Sequence, residues 1–91
     1  MKVRTHIYVS GNVQAVYFRL NTSNKAKEMN ITGWIKNLCD GRVEAIFEGE
    51  NDAVERIIQW CRKGPVHASV ENVEIIPEKY IGEFGEFTIN K

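Results

Sequence analysis

The spacing of apolar residues changes period along the chain, and the order of those periods limits the fold. Val3, Thr5, Ile7 and Val9 alternate with Arg4, His6 and Tyr8, the two-residue period of a strand with one apolar face. Ser10-Gly11-Asn12 reads as the turn that stops it. A helix is expected from about Val16 or Phe18 to Met29 or Asn30, with a thin inner stripe of Phe18, Thr22, Ala26 and Met29. Period two then returns. Ile31 to Leu38 reads as a second strand, Asp40-Gly41 as a tight turn, and Val43, Ala45 and Phe47 as the third strand of a hairpin closed by Gly49. Val54, Ile57, Ile58 and Cys61 sit at i, i+3, i+4 and i+7 and predict a second helix. Asp52 with Glu55 reads as its capping box, with Asp52 supplying the cap oxygen, and Arg62-Lys63-Gly64-Pro65 as its stop. A fourth strand is expected from about Ala68 to Ile76, with a bulge or twist where the apolar phase slips between Val70 and Val73. Pro77 to Gly85 reads as loop, and Phe87 with Ile89 as a short last strand.

The resulting order, β-α-β-β-α-β plus a short C-terminal strand, is the split βαβ pattern of ferredoxin-like domains. It predicts an α+β sandwich, an antiparallel sheet with both helices on one face. The chain has 91 residues, which suits one domain over residues 1–91. Twelve Lys and Arg balance twelve Asp and Glu, which disfavours a nucleic-acid partner. RNA-recognition domains share the element order but need exposed aromatics and a basic face on the middle strands. Val43-Glu44-Ala45-Ile46-Phe47-Glu48 offers acidic and apolar residues instead. No apolar run approaches the roughly 20 residues of a membrane span, and Met-Lys-Val-Arg-Thr-His lacks the apolar stretch of a signal peptide. A cytoplasmic monomer with no membrane partner is expected. Cys39 and Cys61 form no C-x-x-C, and His6 and His67 stand alone, so free thiols and no metal site are expected. Glu44, Glu48, Glu50 and Asp52 form no evident metal shell and are expected to face water.

The topology brings distant residues together. In a split βαβ unit the first two strands run parallel with the third between them. Their carboxyl ends therefore lie at one edge, roughly 10 Å apart. The loop Gly11 to Phe18 leaves the first strand at that edge, and Asn37 closes the second. Successive backbone N–H groups in such a loop form an anion nest, and the helix N-terminus adds free donors and partial positive charge. Arg19 in the first helical turn adds a planar fork suited to two phosphate oxygens. Read without further context, a lone Arg after a strand-helix turn such as Arg19 is most often a surface residue, and Asn37 suits turn geometry. The Walker pattern G-x-x-x-x-G-K-[ST] is absent.

Gly11-x-Val13-Gln14-x-Val16-x-Phe18-Arg19, followed by Gly33-Trp34-Ile35-x-Asn37 and Asp40-Gly41-x-Val43-Glu44, resembles the acylphosphatase family, and Glu48-Gly49 and Lys63-Gly64-Pro65 fit further along. The resemblance implies a small ferredoxin-like hydrolase. Such an enzyme cleaves the carboxyl-phosphate bond of acyl phosphates to a carboxylate and inorganic phosphate, with no cofactor, no metal and no phosphoenzyme. It implies Arg19 and Asn37 as catalytic residues. It also implies a phosphate-binding loop of Asn12, Val13, Gln14, Ala15, Val16, Tyr17 and Phe18, acting mainly through backbone N–H groups. In that division of labour Arg19 and the loop follow the phosphoryl charge, and the Asn37 carboxamide holds the attacking water.

One position departs from the family pattern. The motif carries Gly where this chain has Ala15. A positive φ there costs Ala on the order of 1–2 kcal/mol, equivalent to roughly tenfold in rate; a negative φ leaves the methyl to crowd the phosphate or to be harmless. Reduced but real turnover is expected. The rival reading is a non-catalytic module of the same topology that binds a small molecule or anion. A metal chaperone of this topology is disfavoured by the missing C-x-x-C.

Overall fold

The structure is a computed structural model that describes residues 1–14 and 16–90. Its elements are β1 (Lys2–Asn12), α1 (Phe18–Glu28), β2 (Thr32–Asn37), β3 (Val43–Glu50), α2 (Asn51–Lys63), β4 (Ser69–Glu78) and β5 (Phe87–Ile89). They form one five-stranded sheet in the order β4-β1-β3-β2-β5. β3 is antiparallel to both β1 and β2, which makes β1 and β2 parallel across it, as the element order predicts. The sheet is mixed rather than wholly antiparallel, because β5 returns beside β2 in the parallel sense.

The core lies between the sheet and the helices. Ile7, Val9, Ile35, Val43, Ala45 and Phe47 project from the sheet onto Phe18 and Ala26 of α1 and Val54, Ile57 and Cys61 of α2. Each such aliphatic or aromatic side chain contributes about 1.5–3 kcal/mol by leaving water. Phe87 stacks on Phe47 at 5.7 Å between ring centres, which fastens the last strand to the middle of the sheet. The thin α1 stripe holds. Thr22 is fully buried at its centre, with its hydroxyl donating to the Phe18 carbonyl at 2.7 Å.

Four expectations need correction. Ser10-Gly11-Asn12 does not end β1, because the strand continues to Asn12, paired with Ser69. Gly11 is required for a different reason. It has φ of 121°, and a Cβ there would stand 2.1 Å from the Ser69 carbonyl oxygen. The expected β4 bulge sits opposite this glycine: Ser10 faces Asn72 and Gly11 faces Val70, leaving Glu71 as the extra residue. Second, β4 runs on through Pro77, which pairs with Thr5. β4 is the edge strand, where the missing N–H of proline leaves no ladder bond unmade. Third, α2 starts at Asn51, so Asp52 lies inside the first turn and makes no capping bond. Fourth, Glu48 does not face water. It is 1% exposed, and its carboxylate accepts the backbone N–H groups of Ile81 and Gly82 and contacts the Arg4 guanidinium at 3.4 Å. Glu44 is also largely covered, accepting from His6 at 2.6 Å. Both belong to the sheet face turned away from the helices. There the chain from Lys79 to Glu86 folds back, and Arg4 bridges Glu48, Glu78 and Glu83. Bonds from Arg4 and His6 hold the Glu78 carboxyl below the usual carboxylate range.

Candidate active site

The hydrogen-bond register fixes the site's frame. Val43 at the start of β3 faces Val9 of β1 on one side and Asn37 of β2 on the other. Two strand spacings therefore put Asn37 roughly 10 Å from Val9 across the sheet. β1 runs three residues past Val9, and its bulge at Gly11 turns the chain into the segment that leads to α1.

The Gln14 side chain ties this segment to the hairpin that carries Asn37. Its one amide nitrogen donates to the Leu38 carbonyl at 2.7 Å and to the Arg42 carbonyl at 2.9 Å. The hairpin itself is closed by the Leu38 N–H on the Arg42 carbonyl. Asp40 completes the turn by accepting the Arg42 N–H and guanidinium, which hold its carboxyl below the ordinary range. Sequence reasoning gave Gln14 only a backbone role. Its type in the motif was the available signal, since a long carboxamide is the side chain that offers two N–H donors from one atom.

Tyr17 enters α1 in the left-handed region, with φ of 61° and ψ of 21°. For an aromatic residue this stores on the order of 1–2 kcal/mol of strain. The surrounding bonds hold it there: the Tyr17 carbonyl accepts both the backbone N–H of Asn21 at 3.0 Å and its side-chain amide at 2.9 Å. A left-handed residue before a helix turns neighbouring N–H groups toward one point. Neither the strain at Tyr17 nor the role of Asn21 was legible in the sequence. No side chain caps α1, and no acidic residue lies in its first turn. The first N–H groups of α1 thus keep their donors for an outside acceptor. Beneath them Phe18 is buried and packs on Trp60 at 5.8 Å. Trp60 is therefore a packing residue, as its place beside the α2 stripe suggests.

A cavity of about 320 Å³ opens beside this helix end, lined by Val13, Tyr17, Phe18, Arg19, Leu20 and Ile89. Four of the residues expected at the site thus share one cavity. Among the described residues Arg19 is its only charged wall, and it makes no ion pair with any of them. Asn12 stands apart, exposed at the end of β1. Val16 and Tyr17 also border a neighbouring cleft that reaches Trp60 and Val66. Ala15 lies outside the described residues. Asn37 does not line the Arg19 cavity. Its side-chain oxygen is buried and has no hydrogen-bond partner among the described residues. A buried carboxamide oxygen without a donor is uncommon, and ordered water is the usual partner of such a group.

The acylphosphatase family model matches residues 5–89. The chain belongs to the acylphosphatase family. It is 51% identical over 87 residues to an acylphosphatase of Chloroflexus aurantiacus, covering 96% of this chain and 95% of that one. It is 48% identical over 89 residues to one of Syntrophus aciditrophicus, covering 98% and 93%. An acylphosphatase structure from Coxiella burnetii superimposes with a TM-score of 0.92 at 36% identity, covering 98% of this chain and 93% of that one. The chain is accordingly an acylphosphatase, a hydrolase that acts on acyl phosphates and releases phosphate.

Proposed function

We propose that residues 1–91 act as one catalytic domain that hydrolyses small acyl phosphates without a metal ion. Arg19 and the backbone N–H groups of residues 12–18 hold the phosphoryl group, and Asn37 positions the attacking water. The observation that carries this reading is the Asn37 carboxamide oxygen: buried, unpartnered among the described residues, and fastened through the hairpin to the loop by Gln14.

The chemistry makes few demands on the protein. The water oxygen forms a bond to phosphorus while the bond from phosphorus to the acyl oxygen breaks. The electron pair leaves with the carboxylate, which is a good leaving group and needs no acid. Charge builds on the equatorial phosphoryl oxygens, where the Arg19 fork and the uncapped end of α1 follow it. Charge-assisted bonds of this kind are worth about 1.5–3 kcal/mol each. Asn is too weak a base to take the water's proton, so the proton passes to a phosphate oxygen or to solvent. The reading includes a monomer working in the cytoplasm, in keeping with a neutral charge balance and two free thiols.

Benzoyl phosphate hydrolysis in the presence of a chelator tests the whole reading. Turnover should persist, and loss of turnover with the metal removed would overturn the metal-free route. A pH–rate profile of kcat should show no side-chain base titrating near neutrality. Ala15 is taken to slow the reaction. Ala15→Gly should raise kcat/KM by up to roughly tenfold, and no gain would remove that cost.

A further inference from the structure

The cavity beside Arg19 has a second character. Apart from Arg19 every described residue that lines it is apolar or aromatic. Val13 and Phe18 are each 1% exposed and form its floor. Tyr17, Leu20 and Ile89 form its rim, and they are 74%, 50% and 42% exposed. They come from three separate elements: the segment before α1, α1 itself and β5. Large apolar side chains standing singly in water are ordinary; three gathered round one cavity that also holds a guanidinium with no ion-pair partner among the described residues are not.

We propose that Tyr17, Leu20 and Ile89 form the acyl-group subsite, and that it selects acyl phosphates with an aromatic or branched apolar acyl group over those whose acyl group carries a second charge. This rests on the reaction proposed above. With the phosphoryl group on Arg19, the rest of the molecule meets only carbon surface. A benzoyl ring laid against Leu20 and Ile89 removes apolar area on both sides from water. A second carboxylate or phosphate on the acyl group would shed hydration there with no counter-ion among the described residues, of which Arg19 is the only cation lining the cavity and is already engaged. The cavity, at about 320 Å³, is at the small end for ligand sites, which suits a single ring beside a phosphoryl group.

The test compares kcat/KM for benzoyl, acetyl and succinyl phosphates. The unmodified chain should rank them in that order. Leu20→Ser and Ile89→Ser should each lower the benzoyl-to-acetyl ratio about fivefold, and the double variant roughly twentyfold, less than a closed hydrophobic pocket achieves because this one is open on a side. Leu20→Lys should raise succinyl phosphate relative to acetyl phosphate. Both positions are about half exposed, so the variants should fold. Ile81→Ser is the control: Ile81 is 63% exposed but does not line the cavity, and its ratio should not move. A fall in both substrates together with an unchanged ratio would overturn the subsite, as would an equal shift in the Ile81 variant. Failure of the unmodified chain to hydrolyse any of the three would instead overturn the proposed reaction, and the subsite with it.

Discussion

The two helices begin in opposite ways. α2 has Glu50 before it and Asp52 in its first turn, and the N–H of its first residue, Asn51, donates to the Met1 carbonyl at 2.9 Å. Its positive end is answered from within the chain. Its apolar stripe of Val54, Ile57, Ile58 and Cys61 is buried throughout. α1 has no acid in its first turn, no side-chain cap, a strained Tyr17 at its entry, and a stripe interrupted by Thr22 and Ser23. One helix is optimised for packing. The other leaves its end unsatisfied at the proposed phosphoryl site, and gives up stability there. The fold tolerates this because α2 and the sheet bury most of the large side chains.

Breaking α1's end should therefore cost activity first. Arg19→Ala removes the guanidinium from the cavity, and kcat/KM for benzoyl phosphate should fall by at least about 1000-fold with the thermal midpoint nearly unchanged. Arg19→Lys should recover little, because an ammonium lacks the two-pronged fork. Asn37→Ala should cost about 100- to 1000-fold, mostly in kcat, because the water is needed only once substrate is bound. Near-native turnover in either variant would withdraw that residue from the mechanism.

Gln14→Ala should come next, at about tenfold in kcat, because the loop and the Asn37 hairpin lose their double tether. Gln14→Glu should be no better: a carboxylate faces the Leu38 and Arg42 carbonyls with no donor. Equal activity in both variants and the parent would show that the backbone alone sets the geometry.

A smaller effect separates the two helix ends directly. Asn21→Asp puts an acid into the first turn of α1 and should raise KM about three- to tenfold, by repelling the phosphoryl group and removing one of the two bonds on the Tyr17 carbonyl. Asp52→Asn at α2 should leave kcat/KM unchanged and cost about 0.3–1 kcal/mol in denaturant unfolding. A matching loss of activity in both would mean that the two ends do not differ in purpose.

What the sequence showed follows this same division. The α2 stripe, the hairpin and the β4 bulge were legible because burial imposes a period on residue types. So were the positions of Arg19 in the first turn of α1 and Asn37 at the end of β2, through the element order. The close approach at Gly11, the left-handed Tyr17 and the burial of Glu48 were not. Each depends on contact with a segment distant in sequence: Ser69, the Asn21 amide, and the N–H groups of Ile81 and Gly82. Composition carries no trace of such contacts. Glu48 in particular reads as a solvated strand residue until the chain beyond β4 is folded over it.

The smallest expected effect concerns the thiols, and it asks whether α2 is sealed as its stripe implies. Cys61 is fully buried under α1, and burial pushes its thiol up to about 12. Near pH 8 the reactive thiolate is then only about one part in ten thousand, and the reagent has no path to it. Cys39 is exposed in the hairpin turn two residues beyond Asn37. A disulfide-exchange reagent should therefore titrate one thiol per native chain at pH 8 and the second only in denaturant. Raising the pH to about 9.5 should leave the second thiol silent, because that pH still lies well below the buried thiol's value. Two fast thiols in the native chain would mean that α2 opens on the timescale of labelling, and the contrast between a closed helix and an open one would lose its physical basis.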